Sequence, residues 1–187
     1  NPWVENPATS GQTAYLNAES VYAGFVYANY LDVDPAMAKL IQSEFFDGWE
    51  EDPTVYYTTG RIRDVLNMKM SYKEAPELAP DGSEPISWAL NQGHEGNAVL
   101  FASAAVLAYR VQGIPARYVE GYLLTEQEVA ESKTGSVTLT SKNSHAWVEV
   151  YLDGVGWVPI DVTPGFYYDT YTLLEMVQKP DKVKHTA

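Results

Sequence analysis

A histidine and an aspartate stand near the C-terminal end of the chain, each inside an apolar run with strand character. His145 lies in Ser144-His145-Ala146-Trp147-Val148-Glu149-Val150-Tyr151, and Asp161 lies in Trp157-Val158-Pro159-Ile160-Asp161-Val162-Thr163-Pro164-Gly165. Such a pair orients an imidazole and stabilises its cation, so that the ring can take a proton from a thiol. The partner thiol belongs at a helix N-terminus, where the helix dipole and free N–H groups lower its pKa and can hold an oxyanion. Gly96-Asn97-Ala98 opens an apolar helix and fits that place. Position 98 is alanine, and the chain has no cysteine at all. The expectation is a scaffold built for thiol chemistry, in a sequence that lacks the sulfur.

Strand parity sets a condition on the pair. Ala146, Val148, Val150 and Leu152 form one face of their strand; His145, Trp147, Glu149 and Tyr151 form the other. In the next strand Val158, Ile160 and Val162 are the apolar set, and Asp161 shares its face with Trp157 and Pro159. A two-residue turn at Asp153-Gly154 would pair 152 with 155 and send His145 and Asp161 to opposite faces. A three-residue loop, 153–155, pairs 147 with 161. Asp161 then lies diagonal to His145, roughly 7–8 Å away between backbones and within side-chain reach. The spacing therefore predicts a loop of odd length.

The elements that must position these residues follow from periodicity and punctuation. Asp34-Pro35 starts a helix, Asp34 as N-cap and Pro35 at its first position, and Met37, Leu40, Ile41 and Phe45 continue it. A shorter helix is expected over 60–68. Residues 73–85, with Pro76, Pro80, Asp81-Gly82 and Pro85, read as a turn-rich loop. A short helix around Ile86, Trp88 and Leu90 should end near Gly93. Residues 97–112 are apolar on nearly every face and predict a central helix packed all round, ended by Gly113-Ile114-Pro115. Strands are expected over 117–124, 146–152 and 156–162. A polar stretch, 125–143, containing Lys133-Thr134-Gly135, lies between the first two as a lid, a substrate-selecting loop or a plain solvated excursion. A helical first half feeding an antiparallel sheet argues an α+β fold. One domain is expected over 1–187, with a helical N-terminal stretch over 1–70, a core over 85–166 and a C-terminal extension over 167–187, in which His185 sits in a polar tail.

Composition narrows the partners. Hydrophobic residues make up 45% and charged residues 20%, a globular balance. The formal net charge of -13 would repel phosphates, so nucleic acid and anionic membrane surfaces are disfavoured. Without cysteine there are no disulfides or thiolate metal sites. The longest apolar run, residues 98–109 broken only by Ser103, suits a buried helix and not a membrane span. The chain begins at Asn1, which suggests a processed protein or a segment of a longer one.

The ordered motifs carry a resemblance. Gly96-Asn97-Ala98-Val99-Leu100-Phe101-Ala102-Ser103, then Arg110-Val111-Gln112-Gly113-Ile114-Pro115-Ala116-Arg117 with Gly121-Tyr122, then His145-Ala146-Trp147-Val148-Glu149-Val150, then Asp161-Val162-Thr163-Pro164, resemble the core of the transglutaminase-like superfamily over roughly residues 88–166. The resemblance implies a papain-like core, with a nucleophile-bearing helix packed on an antiparallel sheet. It implies a cysteine, histidine and aspartate triad at position 98, His145 and Asp161. Gln92, six residues before position 98, becomes an oxyanion-hole candidate. Trp88, Asn97, Tyr122 and Trp147, and also Trp157, become candidates to line the cleft, with His94 and Glu95 at its rim. No metal or organic cofactor is implied. The function implied is cysteine acyl transfer on peptide or glutamine amides by hydrolysis or transamidation, with a peptide or protein as substrate and an extracellular or cell-envelope location. Alanine at 98 departs from the pattern. It reads as an engineered cysteine-to-alanine change; the alternative is a natural pseudoenzyme whose cleft binds peptide or cell wall.

Overall fold

The computed structural model describes residues 7–50, 54–132 and 135–166. The expected C-terminal extension with His185, and Lys133-Thr134, lie outside the described residues.

Helix α1 (Ser10–Asn29) opens on a capping box in which Thr9 accepts the Gln12 N–H and the Gln12 side chain accepts the Thr9 N–H. Helix α2 (Pro35–Phe46) starts as the Asp-Pro signal predicts. Asp34 Oδ1 accepts the N–H groups of Ala36 and Met37 at 2.9 and 3.2 Å. Helix α3 (Val55–Lys69) is longer than the periodicity suggested. Thr54 caps it by accepting the Tyr57 N–H, and its first turn buries Thr58 and Thr59 in place of large apolar residues. Thr59 Oγ1 lies 2.5 Å from the Tyr109 hydroxyl, so Thr59 finds its partner within the core.

The turn-rich loop is present, but it is preceded by a two-residue strand that periodicity could not show. Strand β1 (Ser71–Tyr72) pairs in parallel with β2 (Glu95–Gly96), Tyr72 opposite Gly96. Between them, α4 (Pro85–Trp88) runs on into a wide π-type turn over Ala89–Gly93. It ends at His94, whose φ of 54° reverses the chain. The Trp88 ring fills the space beside Gly93, where a Cβ would come within 2.2 Å of it.

Helix α5 (Ala98–Val111) packs on the antiparallel sheet formed by β3 (Ala116–Tyr122), β4 (Ser144–Leu152) and β5 (Gly156–Ile160), in the order β3-β4-β5. Phe101, Ala104, Ala105, Ala108 and Tyr109 join Ala116, Val148, Val150 and Ile160 in one core with α2 and α3. Full burial of a side chain such as Phe101 contributes about 1.5–3 kcal/mol. The helix is not packed all round, because its first turn stands at the mouth of a cleft and leaves Val99 45% exposed.

The sheet is covered on its second face as well. Tyr22 of α1 meets Tyr151 edge-on, and Tyr30 meets Trp157 edge-on at 4.8 Å. Tyr151, on the strand face that carries His145 and Glu149, is therefore buried. Among the described residues no helix is long and apolar enough to cross a membrane.

Candidate active site

The β4–β5 hairpin meets the parity condition. Leu152 pairs with Gly156 and Val148 with Ile160, around the three-residue loop 153–155. The Val155 N–H donates to the Leu152 carbonyl at 3.0 Å, and Gly154 supplies the positive φ (75°) that such a turn needs at its third residue. Continued by one residue, the ladder sets Asp161 opposite Trp147 and diagonal to His145. The side chains bridge the diagonal: His145 Nε2 lies 2.6 Å from Asp161 Oδ2, with both residues buried.

Asp161 is held at every oxygen. Oδ2 faces His145, Oδ1 accepts the Thr163 N–H at 2.9 Å, and its backbone carbonyl accepts an N–H from Arg63 Nη2 at 2.7 Å. A carboxylate only accepts, so the imidazole proton sits on Nε2 and Nδ1 is the basic nitrogen. After Asp161 the chain turns through Thr163-Pro164-Gly165-Phe166. The Phe166 N–H donates to the Thr163 carbonyl at 3.1 Å, and Gly165 takes φ 94° at the third position. This turn lays Phe166 against His145, with ring centroids 4.6 Å apart. Trp147 stacks on the imidazole at 6.4 Å and 19°. Its indole fits because residue 121, opposite His145, is glycine. His145 is thereby clamped between two aromatic rings.

Ala98 is the first residue of α5. Asn97 caps the helix by accepting the Leu100 N–H at 3.2 Å, which leaves the earlier N–H groups of Ala98 and Val99 at the positive end of the helix dipole. Ala98 is 8% exposed and packs against Ala102 and Ala146. Position 98, Asn97, Tyr122 and His145 all line one cleft of about 690 Å³, together with Tyr72, Val99 and Phe166.

One wall of the cleft comes from the polar stretch 125–143. Helix α6 (Glu126–Glu131) begins with a capping box in which Glu128 takes hydrogen bonds from the Thr125 N–H and hydroxyl. Asn143 Nδ2, in a 3₁₀ turn over Ser141–Asn143, donates to Glu128 Oε1 at 2.6 Å and to the Leu123 carbonyl. The Thr125 backbone N–H first, then the Asn143 amide and the Thr125 hydroxyl, hold the Glu128 carboxyl below the ordinary range. Glu74 and Glu120 add negative charge to the lining, Lys142 a positive one.

Four expectations need correction. Gln92 is exposed in the π-type turn and does not line the cleft, because the reversal at His94 carries it away from position 98. Trp88 belongs to the core. Trp157 packs against Tyr30, Tyr151 and Arg117 on the sheet's other face. Trp147 clamps His145 and does not line the cleft. His94 and Glu95 are tied into local structure: His94 Nδ1 lies 2.9 Å from the Lys69 carbonyl, and Glu95 pairs with Lys73 at 2.8 Å. Arg63, Tyr72 and Phe166 carried no periodic or motif signal. Only the Thr-Pro-Gly turn before Phe166 could have pointed to its place.

Comparison with known proteins places this geometry in a family. The model of the transglutaminase-like superfamily matches residues 44–162. The uncharacterized protein YebA of Bacillus subtilis (strain 168) is 48% identical over 67 residues, which are 35% of this chain and 9% of that protein. The periplasmic domain of TgpA from Pseudomonas aeruginosa, bound to ethylmercury, shares the fold with a TM-score of 0.54 at 20% identity, over 74% of this chain and 49% of that one. A second structure of the same domain gives 0.53 at 19% identity, over 83% and 51%. The chain thus spans about half the length of that periplasmic domain and under a tenth of YebA. With the family model covering well over half of its residues, the chain belongs to the transglutaminase-like superfamily.

Proposed function

We propose that this fold serves acyl transfer from amides through a thiol at position 98, and that Ala98 stands here in place of that cysteine as a nucleophile knockout. The observation that carries the proposal is the His145–Asp161 hydrogen bond of 2.6 Å, buried, fully braced, and in the cleft that Ala98 lines. An aspartate with every oxygen engaged and a histidine clamped by two rings are costly to keep in a cleft that only binds.

With sulfur at 98, Nδ1 of His145 takes the thiol proton and Asp161 stabilises the imidazolium. The thiolate adds to an amide carbonyl, and the carbon–oxygen π pair moves onto oxygen. Collapse expels the amine, which leaves with the proton from Nδ1, and a thioester remains. Water or a second amine, deprotonated by His145, then attacks the thioester and releases an acid or a new amide. An open cleft of about 690 Å³ can admit a segment of a peptide or protein substrate. Kinship to a periplasmic domain supports an extracellular or cell-envelope setting.

The test is Ala98→Cys. The expected outcome is a thiol alkylated by iodoacetamide well below the free-thiol pKa of about 8.5, together with amidase or transamidase turnover. A thiol that titrates like free cysteine and turns nothing over defeats the proposal. A cysteine codon at position 98 of the natural gene is expected; an alanine codon there would make the protein a natural non-catalytic relative.

A further inference from the structure

Helix α1 is apolar on two opposite sides. One side lies against the sheet: Val26 is buried, Glu19 accepts the Tyr151 hydroxyl at 3.2 Å and the Gly154 N–H at 2.8 Å, and the Tyr22 hydroxyl accepts the Trp157 indole N–H at 2.8 Å. On the other side Ala14, Ala18, Val21, Phe25 and Ala28 recur at spacings of four, three, four and three. At about 3.6 residues per turn they fall within an arc of about 80°. All five are exposed, Val21 by 77% and Phe25 by 53%, so no described residue covers this stripe. A helix apolar all round is normally a buried one. Glu19 is the one charged residue in α1 and is engaged by the hairpin loop, so the outward face carries no charge. The helix also precedes residues 44–162, which match the family model, so its outward face is no part of the shared core.

We propose that this face is a self-association surface, on which α1 of a second copy of the chain packs antiparallel about a two-fold axis at Val21. The stripe is symmetric about that residue, as an isologous contact requires. Ala14 and Ala28 stand seven residues to either side, so each meets the other across the axis. Ala18 and Phe25 stand three and four residues away, so the Phe25 ring of one copy lies over the small Ala18 of the other. Val21 faces its own counterpart. Charge points to the same occupant. Two chains of net charge -13 repel each other, and an uncharged helix face is where they can approach without opposing carboxylates. A lipid surface fits less well, because an interfacial helix carries Lys or Arg on its polar face and α1 has neither. A pair of 20-residue helices, about 30 Å long and 10–12 Å across, stands at the low end of specific interfaces, so the dimer is weak and reversible.

The experiment is sedimentation velocity of the chain from about 1 µM to about 1 mM, beside Val21→Glu. The expected result is a monomer–dimer equilibrium within that range for the parent and a monomer throughout for Val21→Glu. Val21 is 77% exposed and glutamate is the better helix former, so the fold survives the change; an unchanged circular dichroism spectrum checks this. Because the chain has no cysteine, single introduced thiols report the geometry. Val21→Cys should crosslink with a short bismaleimide. Ala14→Cys should not, since the antiparallel pair holds its two thiols about 21 Å apart along the axis. A parent that stays monomeric at the highest concentration overturns the proposal, as does a dimer that survives Val21→Glu. Equal crosslinking of Ala14→Cys and Val21→Cys overturns the antiparallel pairing. A monomer that floats with phosphatidylcholine vesicles puts lipid on the face, and a Val21→Cys thiol that alkylates slowly at every dilution puts another segment of the chain there; either result also overturns the proposal.

Discussion

Gly121→Ala places one methyl group against the ring that clamps His145. Gly121 has ordinary strand geometry, so alanine is not refused by the backbone. A Cβ there would lie 2.7 Å from Trp147 Cη2 and 3.1 Å from Cζ3. Comfortable carbon–carbon contact begins near 3.5 Å, so the indole must retreat by roughly 0.8 Å. Overpacking of this size costs about 1–3 kcal/mol, while replacing a strand glycine returns about 0.5–1. The net loss spans about 0–2.5 kcal/mol, and its central value of about 1 kcal/mol lowers the melting temperature of a chain of this length by about 2–4 °C. The measurement is thermal unfolding of Gly121→Ala in two backgrounds, the parent and Trp147→Leu. With the ring gone the steric cost vanishes, and the same substitution should become neutral or stabilising. The His145 ring resonances should shift in the parent background, because Trp147 stacks on that imidazole. An equal effect in both backgrounds would refute the claim that Gly121 exists to seat the indole.

Arg63→Met removes the donor to the Asp161 carbonyl and leaves a buried acceptor unpaired, so the urea midpoint should fall by an equivalent of about 1–3 kcal/mol; a midpoint unchanged from the parent would show that the bond contributes nothing. Tyr151 should ionise late. Desolvation first, then the Glu19 carboxylate, push its phenol up to about 12. The neutral form is favoured by folding, so this contribution is present below the unfolded value of about 10 and is lost as pH rises from about 10 to about 12. Tyr151→Phe should therefore lose less thermal stability than the parent between those values; an identical alkaline loss would count against it.

Much of the site could be read from residue order, because its components are short and local. The cap at Asp34, the stop at Gly113-Ile114-Pro115, and the strand alternation around His145 each depend on a few neighbouring residues. The parity of the 153–155 loop turned such local facts into the register that unites His145 with Asp161. What escaped was non-local or lacked a period. Helix α1 presents aromatic residues that have no core stripe, since only Val26 is buried, and its role as cover for the sheet appears only with Tyr151 and Trp157 in place. Strand β1 is two residues long. Gln92 was placed by its distance along the chain from position 98, and the left-handed turn at His94 defeats that count.

The bracing of Asp161 also orders events in time. Its three hydrogen bonds reach a residue two positions ahead, a strand sixteen positions back and a helix ninety-eight positions back. Position 98 is synthesised before either His145 or Asp161. A thiol there would be an ordinary, slow one on a growing chain, with neither base nor orienting carboxylate yet made. It would become reactive only when the hairpin closes and Arg63 donates its hydrogen bond to the aspartate carbonyl. The scaffold thus delays its own hazard: the segment that arms the site is made after the position it arms.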